Sequence, residues 1–255
     1  MEEQKPPVHT SAAPIQEIPT KEEMRAALEL RHTKAVQDKI SDAHVAVCGL
    51  GGLGSNIAIA LARCGVLHLH LIDFDTVDLT NLNRQQYGIA QLGQPKPAAL
   101  KEELLQFAPY CEITTDYEKL TEENIGTVVT EPFVCEAFDA PEQKAMLTNY
   151  VLEHMPQTWL VGASGMAGYE SGNTIKTRHI MGRYYLCGDG TTGITEHYGL
   201  MAPRGQQIFG ILHDLDLYEI TATKFSCHTR DPDCLIRISR TGSVWQKRNA
   251  LRDII

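Results

Sequence analysis

Residues 44–73 restrict the possible folds of this chain more than any other stretch. An apolar run at 45–48 leads into Gly-Leu-Gly-Gly-Leu-Gly at 49–54, and the apolar segment that follows carries no charge before Arg63. A second apolar run then ends in Asp73. The order of buried strand, glycine turn, buried helix and strand with a terminal acid predicts a βαβ unit, whose parallel strands are covered by helices.

The same alternation continues along the chain. We predict further helices at 21–39, 95–107, 121–129 and 141–154, and further strands at 112–116, 133–138 and 159–163. Strands that alternate with helices predict an α/β fold with a Rossmann-like, mostly parallel sheet and helices on both faces. Alternating residues at 173–180 and the apolar run at 184–187 predict antiparallel strands appended to that sheet.

The composition changes at both ends of this pattern. Residues 1–19 mix Pro, Ser, Thr, Gln and Glu without an apolar period, which predicts a disordered lead-in. Residues 20–204 form the predicted α/β domain. Residues 205–255 have weak periodicity and scattered charges, so we predict an atypical tail whose fold the pattern does not define.

Charge and composition exclude several classes of protein. The net charge of −9 argues against non-specific nucleic-acid binding, which needs clustered Lys and Arg. No apolar run approaches the roughly 20 residues that cross a bilayer, and the N-terminus lacks the apolar core of a secretory signal. The 7 cysteines show no disulfide-framework spacing. We therefore expect a cytoplasmic, reduced protein without a nucleic-acid or membrane partner.

The glycine turn and Asp73 together predict a nucleotide site. The glycines permit close backbone approach to phosphates at the positive end of the following helix. An acid at the end of the second strand accepts hydrogen bonds from ribose hydroxyls. These features alone favour an NAD- or FAD-binding domain.

Two cations downstream change that interpretation. Arg84 lies in an amide-rich segment beyond the second strand, and Lys96 begins the next predicted helix, where the alternative is an ordinary solvated lysine. A triphosphate that loses pyrophosphate develops more charge than a bound dinucleotide and needs side-chain cations and a metal. We therefore predict a nucleoside triphosphate whose α-phosphate is open to attack.

Asp139 is the candidate metal ligand. It follows the predicted strand at 133–138, at the carboxyl edge where ligands bind in open α/β sheets. A carboxylate there suits Mg²⁺ shared with phosphate oxygens. The alternative is a helix cap, because Pro141 follows two residues later. Position alone does not separate the two.

Five motifs in order resemble those of one enzyme family. They are Gly-Leu-Gly-Gly-Leu-Gly at 49–54, Ile-Asp-Phe-Asp-Thr-Val-Asp at 72–78, Asn-Leu-Asn-Arg-Gln at 81–85, Gly-Gln-Pro-Lys at 93–96 and Cys-Glu-Ala-Phe-Asp at 135–139. The set is similar to the ThiF/MoeB branch of the ubiquitin-activating-type adenylyltransferases, and residues 173–187 and 199–204 most resemble its ThiF members. The resemblance covers about residues 20–204.

The resemblance implies a nucleotidyltransferase that uses ATP and Mg²⁺. Its substrate would be the C-terminal carboxylate of a small ubiquitin-like sulfur-carrier protein (ThiS-like) in thiamine biosynthesis, and its products a carrier acyl-adenylate and pyrophosphate. A carboxylate is already ionised at neutral pH, so no general base is required. A homodimer is also implied, with an arginine supplied by the partner's N-terminal region; Arg25 and Arg31 are the candidates.

The resemblance also assigns roles to individual residues. The implied nucleotide-binding residues are Gly49, Gly51, Gly52, Gly54, Asp73, Asp75, Asn81, Arg84, Gln85 and Lys96. Among them, Asp73 binds the ribose, and Arg84 and Lys96 are the catalytic contacts to the phosphates. Asp139 holds Mg²⁺. Cys187, which looks loop-like and polar in its setting, is a candidate sulfur-transfer cysteine, but we favour an ordinary thiol at a strand end.

Two departures from the family pattern keep other functions open. Many relatives carry zinc on two Cys-x-x-Cys pairs, and this chain has no such pair, so we predict no structural zinc. A looser alternative set is Cys227, His228, Cys234 and His213. The tail after Arg204 lacks the apolar closing helix expected of the family. The alternatives are an NAD- or FAD-dependent oxidoreductase and a non-catalytic carrier-binding module.

Overall fold

The computed structural model describes residues 17–165, 167 and 172–191, so most of the predicted lead-in and the whole tail at 205–255 lie outside the described residues. The helices are α1 (Lys21–His32), α2 (Lys34–Ser41), α3 (Gly54–Cys64), α4 (Lys96–Leu105), α5 (Ile125–Val128) and α6 (Pro141–His154). The strands are β1 (His44–Cys48), β2 (His68–Ile72), β3 (Glu112–Asp116), β4 (Phe133–Glu136), β5 (Trp159–Ala163), β6 (Lys176–Met181) and β7 (Tyr184–Gly188). None of the described helices is long and apolar enough to span a membrane.

These strands form one sheet in the order β3-β2-β1-β4-β5-β7-β6. Parallel pairing runs from β3 to β7, and β6 pairs antiparallel with β7 at the edge. The predicted Rossmann-like, mostly parallel sheet is confirmed. The appended strands are antiparallel to each other, as predicted. Because β6 runs opposite to β5 and the chain reverses again between β6 and β7, β7 joins the sheet by parallel pairing with β5.

Helices cover both faces of the sheet, which explains the continuous apolar runs in the central strands. One face packs against α3 and α4 through a cluster that includes Val47, Leu61 and Leu100. The other face packs against α5 and α6 through a cluster that includes Cys48 and Leu147. Neighbouring residues of β1 thus point to opposite faces and are buried on both, as expected for a central parallel strand.

The predicted single helix at 21–39 is wrong, because the chain breaks at Thr33. Thr33 has a φ of 72°, a backbone region that residues with a Cβ rarely adopt, and its N–H closes α1 on the Glu29 carbonyl. The break escaped prediction because Thr33 is neither Gly nor Pro. The described α1 has no buried residue. It is nevertheless well capped, since Thr20 and Glu23 form the capping box that their spacing indicates.

A buried histidine lies between two carboxylates in the middle of β2. Nδ1 of His70 is 2.8 Å from Glu131 Oε1, and Nε2 is 2.8 Å from Asp116 Oδ2. Both ring nitrogens therefore donate, which requires the imidazolium form. Burial alone would lower the pKa of His70, but the hydrogen bonds and charges of Glu131 and Asp116 outweigh it and raise the pKa above its usual value.

This histidine should make the free energy of unfolding depend on pH. Because the folded state binds the His70 proton more tightly, the stabilisation is complete below the ordinary histidine pKa of about 6.5 and is lost as the pH rises through the raised value. The stability lost in His70→Gln should therefore be larger at about pH 5.5 than at about pH 9. Urea denaturation at both values measures it. His154→Gln, at an exposed position on α6, is the control, and an equal loss for His70→Gln at both values would contradict the expectation.

Candidate functional site

The carboxyl ends of β1, β2 and β4 meet at one edge of the sheet, and the candidate nucleotide and metal residues lie in the segments that follow these strands. The strand order turns back between β1 and β4, so the loops after these two strands leave in opposite directions. In open α/β sheets such a switch point forms the crevice in which ligands bind. The glycine turn follows β1, Asp73 follows β2 and Asp139 follows β4.

The glycine turn closes on itself in a way that only glycine permits. A Cβ on Gly54 would lie 1.7 Å from the carbonyl oxygen of Gly49. Gly49 has a φ of +90°, and a Cβ there would lie 2.9 Å from the carbonyl group of Ala137. No side chain caps the start of α3. The positive end of α3 thus begins at this turn without a capping side chain, an arrangement that suits phosphate binding.

Asp73 is buried and braces this turn. Its Oδ2 accepts the Leu50 N–H at 2.6 Å, and its Oδ1 accepts the Asp75 N–H at 2.8 Å. Burial raises the pKa of Asp73, although the Leu50 N–H and the charge of Lys96 partly offset the rise. A carboxylate has about four acceptor sites, so these two bonds leave capacity for ribose hydroxyls. The predicted ribose contact stays a prediction.

Lys96 is buried, so its interpretation as a solvated lysine at a helix start is wrong. Only 5% of the residue is exposed. Its Nζ lies 2.8 Å from Asp75 Oδ2, and its backbone N–H donates to the Asp75 carbonyl at 2.9 Å. Burying an ammonium group costs free energy unless a carboxylate pairs with it. Asp75 therefore holds Lys96 in place, and two of the three ammonium donors remain for a ligand.

Arg84 lies directly over the glycine turn. A Cβ on Gly52 would be 3.3 Å from the Cγ and Cδ atoms of Arg84. Nη1 donates to the Thr80 carbonyl at 3.0 Å and to Asn83 Oδ1 at 2.9 Å. Nε and Nη2 bond to no other described residue. The guanidinium is thus anchored on one side and presents donors on the other.

The segment 81–87 is hydrogen-bonded to the glycine turn through residues that sequence reasoning missed. Asn56 Nδ2 donates to the Gly52 carbonyl at 2.7 Å and to the Arg84 carbonyl at 3.0 Å. Tyr87 Oη donates to the Leu50 carbonyl at 2.8 Å. These bonds fix Arg84 relative to the turn. The one available signal was Asn56 in the first turn of an otherwise apolar helix.

The two predicted amide residues, Asn81 and Gln85, differ in their hydrogen bonds. Asn81 Oδ1 accepts the Asp78 N–H at 3.1 Å and so closes the short turn that precedes Arg84. Gln85 is buried beside Gly51, and its Oε1 has no hydrogen-bond partner among the described residues. A buried polar atom without a partner indicates an absent ligand or water. Because amide orientation is interchangeable, Gln85 can donate or accept toward a polar ligand such as a nucleotide.

Asp139 is exposed and bonds to no other described residue. The residue that caps α6 is Ala140, without a side-chain hydrogen bond, so the helix-cap alternative for Asp139 is wrong. Within the described ranges, no group of three or more His, Cys, Asp and Glu side chains is placed to hold a metal. Mg²⁺ is instead commonly held by one or two carboxylates together with phosphates and waters, and a single free carboxylate at this edge fits that mode.

Cys187 is buried inside β7, so its predicted loop-like, polar setting is wrong. Only 2% of the residue is exposed, and its Sγ lies 3.8 Å from the Thr177 hydroxyl. The strand continues to Gly188, one residue beyond the apolar run. The alternative zinc set of Cys227, His228, Cys234 and His213 lies outside the described residues.

Comparison with known proteins identifies the family of the chain. The ThiF family model matches residues 24–187. The chain is 35% identical over 136 residues to the tRNA threonylcarbamoyladenosine dehydratase of Escherichia coli, covering 52% of this chain and 50% of that protein. It is 38% identical over 96 residues to the molybdopterin-synthase adenylyltransferase of the same organism, covering 37% of this chain and 39% of that protein. The chain thus spans about half or less of these curated relatives.

Solved structures show the same fold. The crystal structure of E. coli tRNA N6-threonylcarbamoyladenosine dehydratase in complex with ATP superposes with a TM-score of 0.68 at 22% identity, covering 77% of this chain and 93% of that one. The crystal structure of E. coli MccB with ATP superposes with a TM-score of 0.55 at 22% identity, covering 72% of this chain and 57% of that one. At this identity the likeness extends to the fold alone.

The closure of the glycine turn leads to a stability prediction. Gly54→Ala should lower the free energy of unfolding by about 1–3 kcal/mol or more, because its Cβ would overlap the Gly49 carbonyl. Gly88→Ala is the matched control, since a Cβ at Gly88 meets no atom within 4 Å and its φ is −98°. Urea denaturation of both variants gives the comparison. Equal stability of the two variants would show that the turn relaxes without cost.

Proposed function

Because the chain belongs to the ThiF family, we propose that it is an ATP-dependent adenylyltransferase that activates a carboxylate. The observation that carries the proposal is the pair of cations beside the glycine turn. Lys96 is buried against Asp75, and Arg84 is anchored over Gly52. A dinucleotide pyrophosphate is commonly held by backbone N–H groups and the helix dipole. Two fixed cations suit a triphosphate that loses pyrophosphate.

The proposed mechanism consists of positioning and charge neutralisation. The start of α3 binds phosphate oxygens, and Asp73 orients the ribose. Arg84, through Nε and Nη2, and Lys96, through its two remaining donors, neutralise the charge that develops between the α-phosphorus and the leaving pyrophosphate. Asp139 would hold Mg²⁺, which supplies further charge neutralisation on the phosphates. The attacking carboxylate is already ionised, so no residue needs to remove a proton.

For the acceptor we propose the C-terminal carboxylate of a small ubiquitin-like sulfur carrier of the ThiS type, in thiamine biosynthesis. The five motifs support a ubiquitin-like carrier, and the resemblance of residues 173–187 and 199–204 to ThiF members supports the ThiS type. The similar proteins also include a ubiquitin-like modifier-activating enzyme 5 of Caenorhabditis elegans, 37% identical over 93 residues. A tRNA is the second candidate, because the relatives also include tRNA threonylcarbamoyladenosine dehydratases. The net charge of −9 favours the protein carrier.

We also propose that the enzyme is a homodimer in which Arg31 reaches the partner's phosphate site. Arg25 is engaged within its own chain, since it bonds Glu29 at 2.8 Å and also pairs with Asp38. Arg31 is exposed in the last turn of α1. Because the described α1 buries none of its residues, the helix has a surface that a second copy of the chain can cover.

The catalytic proposal is tested by pyrophosphate exchange into ATP with a carrier that ends in Gly-Gly. Arg84→Ala and Lys96→Ala should each slow exchange roughly 10- to 150-fold, because a charge-assisted hydrogen bond contributes about 1.5–3 kcal/mol. Lys101→Ala is the matched control on α4, since among the described residues Lys101 Nζ donates to the Ile113 carbonyl of β3 and not to any residue of the site. Exchange at the wild-type rate in both site variants would contradict the mechanism.

The same assay, together with binding titrations of ATP, NAD and the carrier, separates the remaining functions. Exchange that depends on a tRNA rather than on a carrier would replace the proposed acceptor. Tight binding of NAD without binding of ATP would indicate the oxidoreductase. Carrier binding without any exchange would indicate a non-catalytic module.

The role of Arg31 is tested by mixing two variants. Arg31→Ala and Lys96→Ala should each have low exchange activity as pure homodimers. If Arg31 acts across the dimer, each mixed dimer contains one complete site out of two. In an equal mixture after subunit exchange about half of the dimers are mixed, so about one quarter of the wild-type activity should be recovered. An Arg25→Ala and Lys96→Ala mixture is the control, and its activity should equal the mean of its two components, because Arg25 is paired within its own chain. Activity of the Arg31 mixture equal to the mean of its two components would exclude a contribution across the dimer.

A further inference from the structure

A buried ion pair beside the candidate metal carboxylate is not used by the proposed mechanism. Glu136 is the last residue of β4 and is 3% exposed. Lys144 on α6 places its Nζ 3.1 Å from Oε1 and 3.2 Å from Oε2 of Glu136. Burying such a pair contributes little net stability compared with an apolar pair of the same shape. Stability of the fold alone therefore does not account for it.

The Glu136 carboxylate makes a second contact that points toward the site. Its Oε1 accepts the backbone N–H of Phe138 at 2.8 Å. The preceding N–H, of Ala137, donates to the Cys48 carbonyl of β1 at 2.8 Å. Asp139, which follows, bonds to no other described residue. The path of the backbone into Asp139 is thus fixed by β1 and by Glu136.

The same segment is in contact with the glycine turn. The position of a Cβ on Gly49 lies 2.9 Å from the carbonyl carbon and oxygen of Ala137 and 2.9 Å from Cδ1 of Phe138. A shift of this segment would therefore change the distance between Asp139 and the phosphate-binding turn. Holding the segment still defines where a metal would lie relative to the phosphates.

Glu136 itself has little room to move. A Cβ on Gly162 of β5 would lie 3.4 Å from Glu136 Oε2 and 3.1 Å from the hydroxyl of Tyr184. Burial, together with the charge of Glu136, raises the pKa of Tyr184. The Glu136 carboxylate is thus enclosed by β5, β7 and α6. This enclosure restricts the position from which it accepts the Phe138 N–H.

We propose that Glu136, held by Lys144, is a positioning residue that sets Asp139 for metal binding, an inference that rests on the proposed Mg²⁺-dependent function. Residues that orient a metal ligand commonly change metal affinity about 10- to 100-fold when they are removed. Glu136 acts through the backbone of Phe138 rather than by contact with the metal.

Two double variants separate positioning from structural support. Glu136→Gln with Lys144→Met removes both charges but keeps an oxygen that can accept the Phe138 N–H. Glu136→Met with Lys144→Met removes the charges and the acceptor while preserving the shape. Neither variant leaves a buried charge unpaired, so both should fold. Their ATP affinities are measured by calorimetry in MgCl₂ and in EDTA, without an acceptor.

The ratio of the two ATP affinities reports metal binding separately from catalysis. We expect the Gln/Met variant to keep the wild-type ratio within about twofold. The Met/Met variant should lose about tenfold or more of the Mg²⁺ enhancement while its affinity in EDTA stays unchanged. Equal ratios in both double variants, with any difference confined to thermal stability, would overturn the positioning role.

Asp139→Asn distinguishes failure of this inference from failure of the proposed function. It should remove the Mg²⁺ enhancement, and combining it with the Met/Met variant should cause no further loss. If Asp139→Asn leaves the enhancement intact, the proposed metal site and this inference both fail. If it removes the enhancement but the Met/Met variant does not reduce it, only the inference fails.

Discussion

The short hydrogen bond from the Leu50 N–H to the buried carboxylate of Asp73 connects the two halves of the site. Leu50 belongs to the turn after β1, and Asp73 follows β2, so one charged acceptor fixes the turn against the neighbouring strand. The Asp75 N–H donates to the same carboxylate, and Asp75 in turn holds Lys96 at the start of α4. The geometry of the candidate phosphate site thus depends on a buried charge, which is costly unless such hydrogen bonds satisfy it.

Local sequence determined most of the elements around this centre. The helix Pro141–His154 and the strands Glu112–Asp116 and Trp159–Ala163 have the predicted bounds because prolines and apolar runs mark their ends within a few residues. The order of the site residues along the chain, and their place at one sheet edge, likewise follow from the βαβ pattern. Parallel strands bring consecutive loops together without any long-range information.

Features that depend on tertiary contacts leave no signal in the local sequence. Burial of Lys96 depends on Asp75 across a loop, and the setting of Cys187 depends on parallel pairing with β5. Tyr87 and Leu50 lie far apart in sequence, so their hydrogen bond has no local signature. The break at Thr33 has the same origin, because it requires a backbone conformation that the residue does not itself favour. Contacts between residues that are distant in sequence determine the features of Lys96, Cys187 and Tyr87.

The arrangement of α1 has a thermodynamic consequence for assembly. A helix of 12 residues is marginal in water by itself, and α1 contributes no buried residue to the described domain. Local opening of α1 would therefore cost much less free energy than opening of the sheet. A surface that binds α1 must offset the conformational entropy that α1 loses when binding keeps it helical. This cost lowers the affinity of association without altering the contacts made. Association through α1 would then be readily reversible. The fraction of candidate sites that receive Arg31 from a second copy would therefore rise with protein concentration.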